Sequence, residues 1–500
     1  MTIYGDYSKA KIGWFFGLSG WQLAVVSLTT LPVFFSIQRT AWGSALIFLT
    51  VWALTSVIVV VPVRGRSATG WLLATLRYVV GSLAGWTRFR SRAATGSSRD
   101  LDEADLPGTL ASVEVHDGPP QGTDQRRVAL IQHHATRCWA VTAAVVHPGI
   151  GLADPASRRQ QGTGLSDLLD LCSRTELIDE LLMLVRTVPD DGAERSQWMN
   201  RHRRSGSPDL ARGVNDDLHA VLSRASVRTE SFVTIVVPET RLAKEAKEAG
   251  GGLTGRTRVL ALLMAEVESH LRGAMGMTAV TWLTSPELAL ACRTGFAPAD
   301  RAGIIEALAA RETDPGVNTE VPWSQAGPSG ADPLIRHYSH DAWNSVSVTI
   351  QLPVKGAVMG ALAPVLTPTE PEERRSFVVS YPILRASTAN RQSASSEWAA
   401  DIADALRDKA KVKQRTRSRD EAEKTRSLDR KLARGSSLTE PYAVCTVTVP
   451  KTVRAAEFGR RLDAATRRAG FAPLRLDIAH DAAFAVSCIP LGASLNRTTP

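Results

Sequence analysis

The amino-terminal part of the chain contains two long uncharged stretches separated by two residues. No charged residue occurs from Gly17 to Gln38, and the stretch from Ala41 to Val63 is also uncharged. A helix needs about 20 apolar residues to cross the hydrocarbon core of a bilayer. A cleaved signal peptide would have one apolar region of about 7–15 residues, so it does not fit this pattern. The pattern predicts a hairpin of two transmembrane helices over about 18–38 and 41–63.

The charged residues around this hairpin predict its orientation. Basic residues precede the first stretch and follow the second, whereas the turn between them contains only Arg39. The positive-inside rule therefore places both termini in the cytoplasm, and the protein in the cell membrane. The next apolar stretch, 70–89, predicts an amphipathic helix on the inner leaflet, with a third span as the alternative. The predicted membrane-anchor residues are Trp21, Trp42, Arg64 and Arg66.

Beyond residue 92, strand and helix patterns alternate with turn-rich segments. The stretch 93–108 is typical of a linker, and the region 109–313 that follows includes a polar helix over 209–225. A Pro- and Gly-rich break over 314–333 precedes a second half, 334–500, in which the order of strands and helices repeats. The sequence therefore predicts an α+β protein in which the transmembrane hairpin is followed by two cytoplasmic, ferredoxin-like α+β domains. A long charged helix is predicted in the second domain, over about 394–434.

Charge and cysteine content agree with this location. The formal net charge is +9, which suits a protein that faces an anionic membrane leaflet or a nucleic acid. The five cysteines are scattered and include no C-x-x-C pair, so neither a disulfide framework nor a cysteine zinc site is expected. Reduced thiols are what a cytoplasmic domain would contain.

Two short motifs resemble sites of chemistry, and we favour a structural explanation for each. The segment Gly250–Thr257 has the spacing of a P-loop with Arg256 in the lysine position, but a charged stretch precedes it instead of a strand. We interpret it as a glycine linker at a helix start, with a nucleotide-binding enzyme as the alternative. His337, His340 and Asp341 are close in sequence, but their loop pattern is a weak signal for a metal site. No catalytic residue, cofactor or metal is therefore predicted.

A basic run extends from Arg407 to Arg434, with twelve Lys or Arg residues against five Asp or Glu. Such a run is most often a solvated helix. The functional alternative is an electrostatic contact with DNA or with an acidic face of a partner protein. No aromatic residue lies between Trp398 and Tyr442, which favours a protein partner over DNA. The predicted contact residues are Lys409, Lys411, Lys413, Arg415, Arg417 and Arg419.

Several longer motifs resemble a known family. The start, YGDYSKAKIGWFFGLSGWQLAVV, with the second apolar stretch resembles actinobacterial membrane proteins of integrative conjugative elements, whose hairpin is similar to that of PrgI-like conjugation proteins. The motifs HYSHDAWNSVSVTIQLPVKGAVMGALAPVL, RRSFVVSYPILRAS and AAFAVSCIPLGAS extend this resemblance over nearly the whole chain. The C-terminal half resembles the non-catalytic N-terminal region of the VirB/TrbE/CagE secretion ATPases. A more superficial resemblance is to EccE, a type VII secretion membrane component.

The resemblance implies a membrane-anchored scaffold, rather than an enzyme, in a conjugative type IV secretion-like apparatus for DNA transfer. In that arrangement a separate VirB/TrbE-like ATPase docks on the cytoplasmic domains. Other channel subunits and anionic lipids of the inner leaflet are the further expected partners, and direct contact with DNA stays open. The alternatives are an EccE-like type VII secretion subunit and, from another class, the nucleotide-binding enzyme using Gly250–Thr257.

Overall fold

The structure is a computed structural model, and its described residues fall into two units. The helical unit contains Gly5–Trp86 and Arg385–Leu438, and the sheet unit contains Met1–Tyr4, Thr87–Leu384 and Thr439–Pro500. The structure describes residues 3–4, 20–60, 62–63, 66–97, 100–121, 124–149, 153–189, 192–204, 206–225, 227–351, 357–370, 372–385 and 437–497. The predicted charged helix over 394–434 lies outside these residues, and so do Lys409, Lys411, Lys413, Arg415, Arg417 and Arg419.

The strands and helices of the described residues are numbered in chain order. The strands are β1 (Ile3–Tyr4), β2 (Pro62–Val63), β3 (Arg66–Ser67), β4 (Phe89–Arg90), β5 (Val113–Gln121), β6 (Arg126–His133), β7 (Cys138–Val146), β8 (Glu180–Pro189), β9 (Val227–Pro238), β10 (Ala279–Trp282), β11 (Gly330–Pro333), β12 (Tyr338–His340), β13 (Trp343–Gln351), β14 (Ala357–Val358), β15 (Arg374–Pro382), β16 (Tyr442–Pro450) and β17 (Ala472–Arg475). The helices are α1 (Gly20–Gln38), α2 (Trp42–Val60), α3 (Ala68–Leu83), α4 (Pro155–Arg174), α5 (Ala193–His202), α6 (Asp209–Ala225), α7 (Glu239–Glu248), α8 (Gly252–Arg272), α9 (Ser285–Phe296), α10 (Asp300–Arg311), α11 (Trp323–Ala326), α12 (Ala363–Leu366), α13 (Ala455–Arg468) and α14 (His480–Cys488).

Among the described residues, the helical unit contains the helices α1, α2 and α3. α1 and α2 fall within the two uncharged stretches, and a short turn joins them in which Thr40 has a left-handed φ of 56°. The two helices pack against each other, and the indole N–H of Trp52 donates to Val26 O at 3.2 Å. α3 occupies most of the stretch for which an amphipathic helix was predicted.

One antiparallel sheet of thirteen described strands organises the sheet unit. Its path is β4-β11-β12-β13-β16-β15-β8-β9-β7-β6-β5, with β10 also paired to β7 and β17 to β13. β8 pairs with β15, so that Val185 lies opposite Phe377. This pairing joins the two predicted cytoplasmic domains in a single sheet. The predicted break at 314–333 contains α11 and β11, and Trp323 of α11 is buried. The α+β class predicted from the sequence is confirmed.

The strand order is the same in the two halves of this sheet. In the first half, the spatial order of the strands is β10-β7-β9-β8. Counted along the chain, these are the fourth, first, third and second strands of that half. In the second half, β17-β13-β16-β15 follows the same order. Hydroxyl pairs join the first and third strands of each half, at 2.9 Å between Thr142 and Thr234 and at 2.7 Å between Ser347 and Thr446. The halves therefore share both topology and buried polar contacts.

Helices cover both faces of the sheet. On one face α4, α7 and α8 cover the first half, and α12 and α13 cover the second. On the other face α9, α11 and α14 form one core with both halves. Successive side chains of β8 point to opposite faces of the sheet. Leu181 therefore packs in the core with α4, α7 and α8, and Leu182 packs in the core with α9, α11 and α14. Leu106, within the predicted 93–108 linker, is buried in the same core as Leu182, so this segment packs on the sheet unit.

Candidate functional site

The apolar side chains of α1 and α2 lie mostly on the outside of the helical unit. Phe34 and Leu46 are exposed by 65% and 68%, and contiguous apolar surface of this kind marks a protein or membrane contact. Among the described residues, the window Trp42–Val59 is the one helical stretch long and apolar enough to cross a membrane. The described apolar part of α1, Ala24–Gln38, is shorter. The structure thus gives one candidate span, and the second span stays a prediction.

Several hydroxyl groups within α1 and α2 donate to carbonyls of their own helix, whereas the buried Ser56 Oγ of α2 has no hydrogen-bond partner among the described residues. Thr29 donates to Val25 O at 2.9 Å, and Thr50 donates to Leu46 O at 2.8 Å. Ser36 donates to Pro32 O at 2.9 Å. Polar groups in a bilayer need internal partners because no water is available there. The hydroxyls of Thr29, Ser36 and Thr50 therefore suit an apolar environment.

Three of the four predicted anchor residues, Trp21, Trp42 and Arg66, are among the described residues. Trp42 is the first residue of α2, and its side chain is exposed. Trp21 lies in the first turn of α1, without a described side chain. Arg66 belongs to β3, where it pairs with Val63, and Arg64 lies outside the described residues. The position of Trp42 at a helix end is where an interfacial tryptophan would lie.

Packing accounts for the glycines of the P-loop-like segment Gly250–Thr257. Gly251 and Gly252 have φ values of 72° and 59°, which few residues other than glycine adopt. A Cβ on Gly255 would overlap Ala246 O of α7, so the close contact between α7 and α8 requires glycine. The segment thus forms a turn followed by a helix start, as the sequence analysis favoured.

Arg256, in the P-loop lysine position, is held by two neighbours. Its guanidinium forms an ion pair with Glu239. The guanidinium carbon also lies 5.4 Å from the ring centroid of Trp139, a cation–π arrangement. Glu239 accepts a hydrogen bond from the Trp139 indole as well. These contacts attach the start of α8 to the sheet.

His337, His340 and Asp341 are directed to different partners. His340 is fully buried, its Nε2 lies 2.8 Å from Ser345 Oγ, and burial lowers its pKa to about 3. Burial also lowers the pKa of His337, which is partly exposed. Asp341 Oδ2 lies 3.3 Å from Arg293 Nη1. Among the described residues, no three His, Cys, Asp or Glu side chains are grouped as metal ligands.

His133 occupies the matching position in the first half of the sheet. β6 ends at His133 opposite Cys138, as β12 ends at His340 opposite Trp343. His133 Nε2 lies 2.6 Å from Leu491 O, and burial lowers its pKa to about 4. A buried histidine with a hydrogen-bonding neighbour therefore occupies the equivalent position in both halves of the sheet.

Helix α6 carries a surface that the sequence analysis missed. The α6 stripe consists of Leu210, Val214, Leu218 and Val221, which are exposed by 45–81%. Arg212 and His219 lie on the other side of α6 and line a cleft of about 340 Å³ between α5 and α6. The spacing of the stripe was visible in the sequence, but the spacing does not tell which side of a helix faces solvent.

No protein-family model matches the chain, and no curated protein matches it. Function is therefore inferred from the surfaces and contacts described above. The glycine motif and the buried histidines have structural contacts, whereas the apolar surface of α1 and α2 and the α6 stripe are directed outwards.

Proposed function

We propose that the chain is a membrane-anchored scaffold of a conjugative, type IV secretion-like apparatus for DNA transfer. The observation that supports anchoring best is the outward apolar surface of α1 and α2. Each large apolar side chain that leaves water contributes about 1.5–3 kcal/mol, so a bilayer around these helices is strongly favourable. The scaffold recruits a separate VirB/TrbE-like ATPase to the membrane, beside other channel subunits and anionic lipids of the inner leaflet.

We further propose that α1 crosses the bilayer together with α2, with both termini in the cytoplasm, and that the sheet unit consists of two ferredoxin-like modules. The short turn with Arg39 and the packing of Trp52 on Val26 support the paired spans. The shared order of fourth, first, third and second strand supports the two modules. The predicted basic residues Lys409, Lys411, Lys413, Arg415, Arg417 and Arg419 would contact an acidic partner or DNA.

Cysteine labelling in intact cells tests the topology. The native cysteines are buried among the described residues, so an introduced cysteine supplies the signal. A membrane-impermeant maleimide should label Ala41→Cys in the turn and should not label Ser97→Cys. Labelling at Ser97→Cys with protection at Ala41→Cys would mean that the two ends of the predicted hairpin are outside the cell.

Two measurements test the scaffold role. Affinity purification of the full chain from native membranes should yield a VirB/TrbE-like ATPase, identified by mass spectrometry; recovery of type VII secretion subunits instead would contradict the conjugation role. For the enzyme alternative, micromolar ATP binding that is lost in Arg256→Ala would contradict a non-enzymatic scaffold. Arg256→Ala is preferable to Gly255→Ala in this test because Gly255 is required for packing of α8 on α7.

A further inference from the structure

Helix α6 presents its apolar side to solvent and its polar side to its own unit. The α6 stripe is exposed, whereas Arg212 and His219 face the cleft between α5 and α6, where His219 Nε2 lies 3.2 Å from Ser196 Oγ. An ordinary surface helix packs its apolar side against the core and leaves its polar side in water. The reversed arrangement indicates that something outside the sheet unit covers the stripe.

The end of the α5–α6 hairpin combines exposed apolar and basic side chains. We define the hairpin tip as residues 198–204 and 206–214. Trp198 is exposed and stacks on His202, with ring centroids 4.4 Å apart. Leu210, the most exposed member of the α6 stripe at 81%, belongs to the tip as well. The tip contains one acidic residue, Asp209, against four arginines, Arg201, Arg203, Arg204 and Arg212.

Arg201, Arg203 and Arg204 of the tip are exposed to an external anion, whereas Arg212 lines the cleft and pairs with Asp209. Arg201 pairs with Glu312 at 2.6 Å, but both side chains are more than half exposed. Arg203 lies 3.8 Å from Asp216, again between exposed side chains. Exposed ion pairs contribute about 0–1 kcal/mol, so an anionic surface can compete for these arginines. Arg201, Arg203 and Arg204 are therefore available to a negatively charged surface.

We propose that the hairpin tip and the α6 stripe lie on a lipid surface with anionic headgroups. Trp198 and Leu210 would enter the headgroup boundary, and Arg201, Arg203 and Arg204 would lie beside lipid phosphates. The aliphatic stripe favours lipid over nucleic acid, because single-stranded nucleic acid would use Trp198 and the arginines but would leave leucine and valine in water. The inference rests on the proposed function to the extent that it takes the chain to be at a bilayer, and it adds a membrane contact made by the sheet unit.

The test uses the full chain reconstituted into vesicles of phosphatidylcholine, with or without phosphatidylglycerol. A nitrobenzoxadiazole probe on Leu210→Cys should be quenched by doxyl-labelled lipid when phosphatidylglycerol is present, and added salt should reverse the quenching. The same probe on Leu262→Cys, an exposed position of α8, should stay unquenched. Quenching at both positions would indicate adsorption without a specific surface and would overturn the inference.

A second experiment removes positive charges from the hairpin tip. Arg203→Gln combined with Arg204→Gln should weaken the contact of the tip with the bilayer by about fivefold per charge removed. Arg460→Gln combined with Arg467→Gln removes the same charge from exposed positions of α13, and it should leave the quenching unchanged. An equal loss of quenching in both pairs would contradict a specific role of the tip.

The outcomes separate this inference from the proposed function. A chain that does not incorporate into vesicles contradicts the proposed membrane anchoring. A chain that incorporates, but whose probe at Leu210→Cys is not quenched in either vesicle, contradicts the tip contact alone. A probe that responds to a single-stranded oligonucleotide and not to lipid would assign the tip to nucleic acid and would also overturn the inference.

Discussion

Replacing Arg375 by methionine should destabilise the second half of the sheet unit by about 3–5 kcal/mol. Arg375 and Glu373 are both fully buried. Arg375 Nε donates to Glu373 Oε1 at 2.8 Å, and its Nη1 donates to Val365 O of α12 at 2.9 Å. Glu373 Oε2 accepts from the backbone N–H and the hydroxyl of Thr369, both at 2.6 Å. The pair therefore connects the start of β15 to α12 and to the turn between them.

The magnitude follows from the burial of both charges. Without the arginine, the Glu373 carboxylate would stay in a site that water does not reach, and an unpaired buried charge costs several kcal/mol. Methionine fills much of the vacated volume, so the cavity contributes little. The double variant Glu373→Gln with Arg375→Met removes both charges and keeps an acceptor for Thr369. It should be more stable than Arg375→Met alone, with a coupling of about 1–3 kcal/mol between the two positions.

Native-state hydrogen exchange on the full chain, followed by mass spectrometry, measures this effect locally. Peptides of β15 and β16 in Arg375→Met should exchange roughly 150- to 5,000-fold faster than in the unmodified protein. Arg374→Met is the control, because Arg374 is on the same strand but is only half-buried. Equal destabilisation by Arg375→Met and Arg374→Met, or a double variant as unstable as the sum of the single variants, would refute the role of the buried ion pair.

Three further predictions concern packing, pH and thiol reactivity. Gly255→Ala should destabilise the contact between α7 and α8 by about 1–3 kcal/mol, seen as faster hydrogen exchange in both helices; unchanged exchange would contradict the overlap with Ala246 O. His340, whose pKa burial lowers from 6.5 to about 3, takes up its proton only on unfolding, so its contribution to stability is complete above pH 6.5 and declines as the pH falls towards 3. His340→Gln should therefore reduce the pH dependence of the free energy of unfolding, measured by urea denaturation, by up to about 1.4 kcal/mol per pH unit in this range. An unchanged slope would contradict a neutral buried histidine. Burial raises the pKa of Cys172, Cys292 and Cys445 to about 12, so the folded protein should resist iodoacetamide at neutral pH until urea is added; rapid alkylation without urea would contradict that burial.

The sequence by itself determined the local elements of this protein. The uncharged stretches before residue 64 predicted the positions of α1 and α2, because apolar composition over about 20 residues is a strong signal. Alternating and helical patterns predicted the α+β class, and the charged stretch before Gly250 indicated a helix start in place of a P-loop. Each of these signals is contained within a short window of the chain. The function and the second span stay predictions.

Only the tertiary structure decided how these elements combine. The pairing of β8 with β15 joins the two predicted domains in one sheet through backbone groups, which are alike in every residue and leave no signal in side-chain periodicity. Likewise, the burial of His340 and the pairing of Glu373 with Arg375 depend on neighbours distant in sequence or on the packing around them. For α6, the sequence predicted only a polar helix over 209–225. The surrounding structure showed that its apolar face points outwards, because orientation is a property of the packed unit and not of the helix.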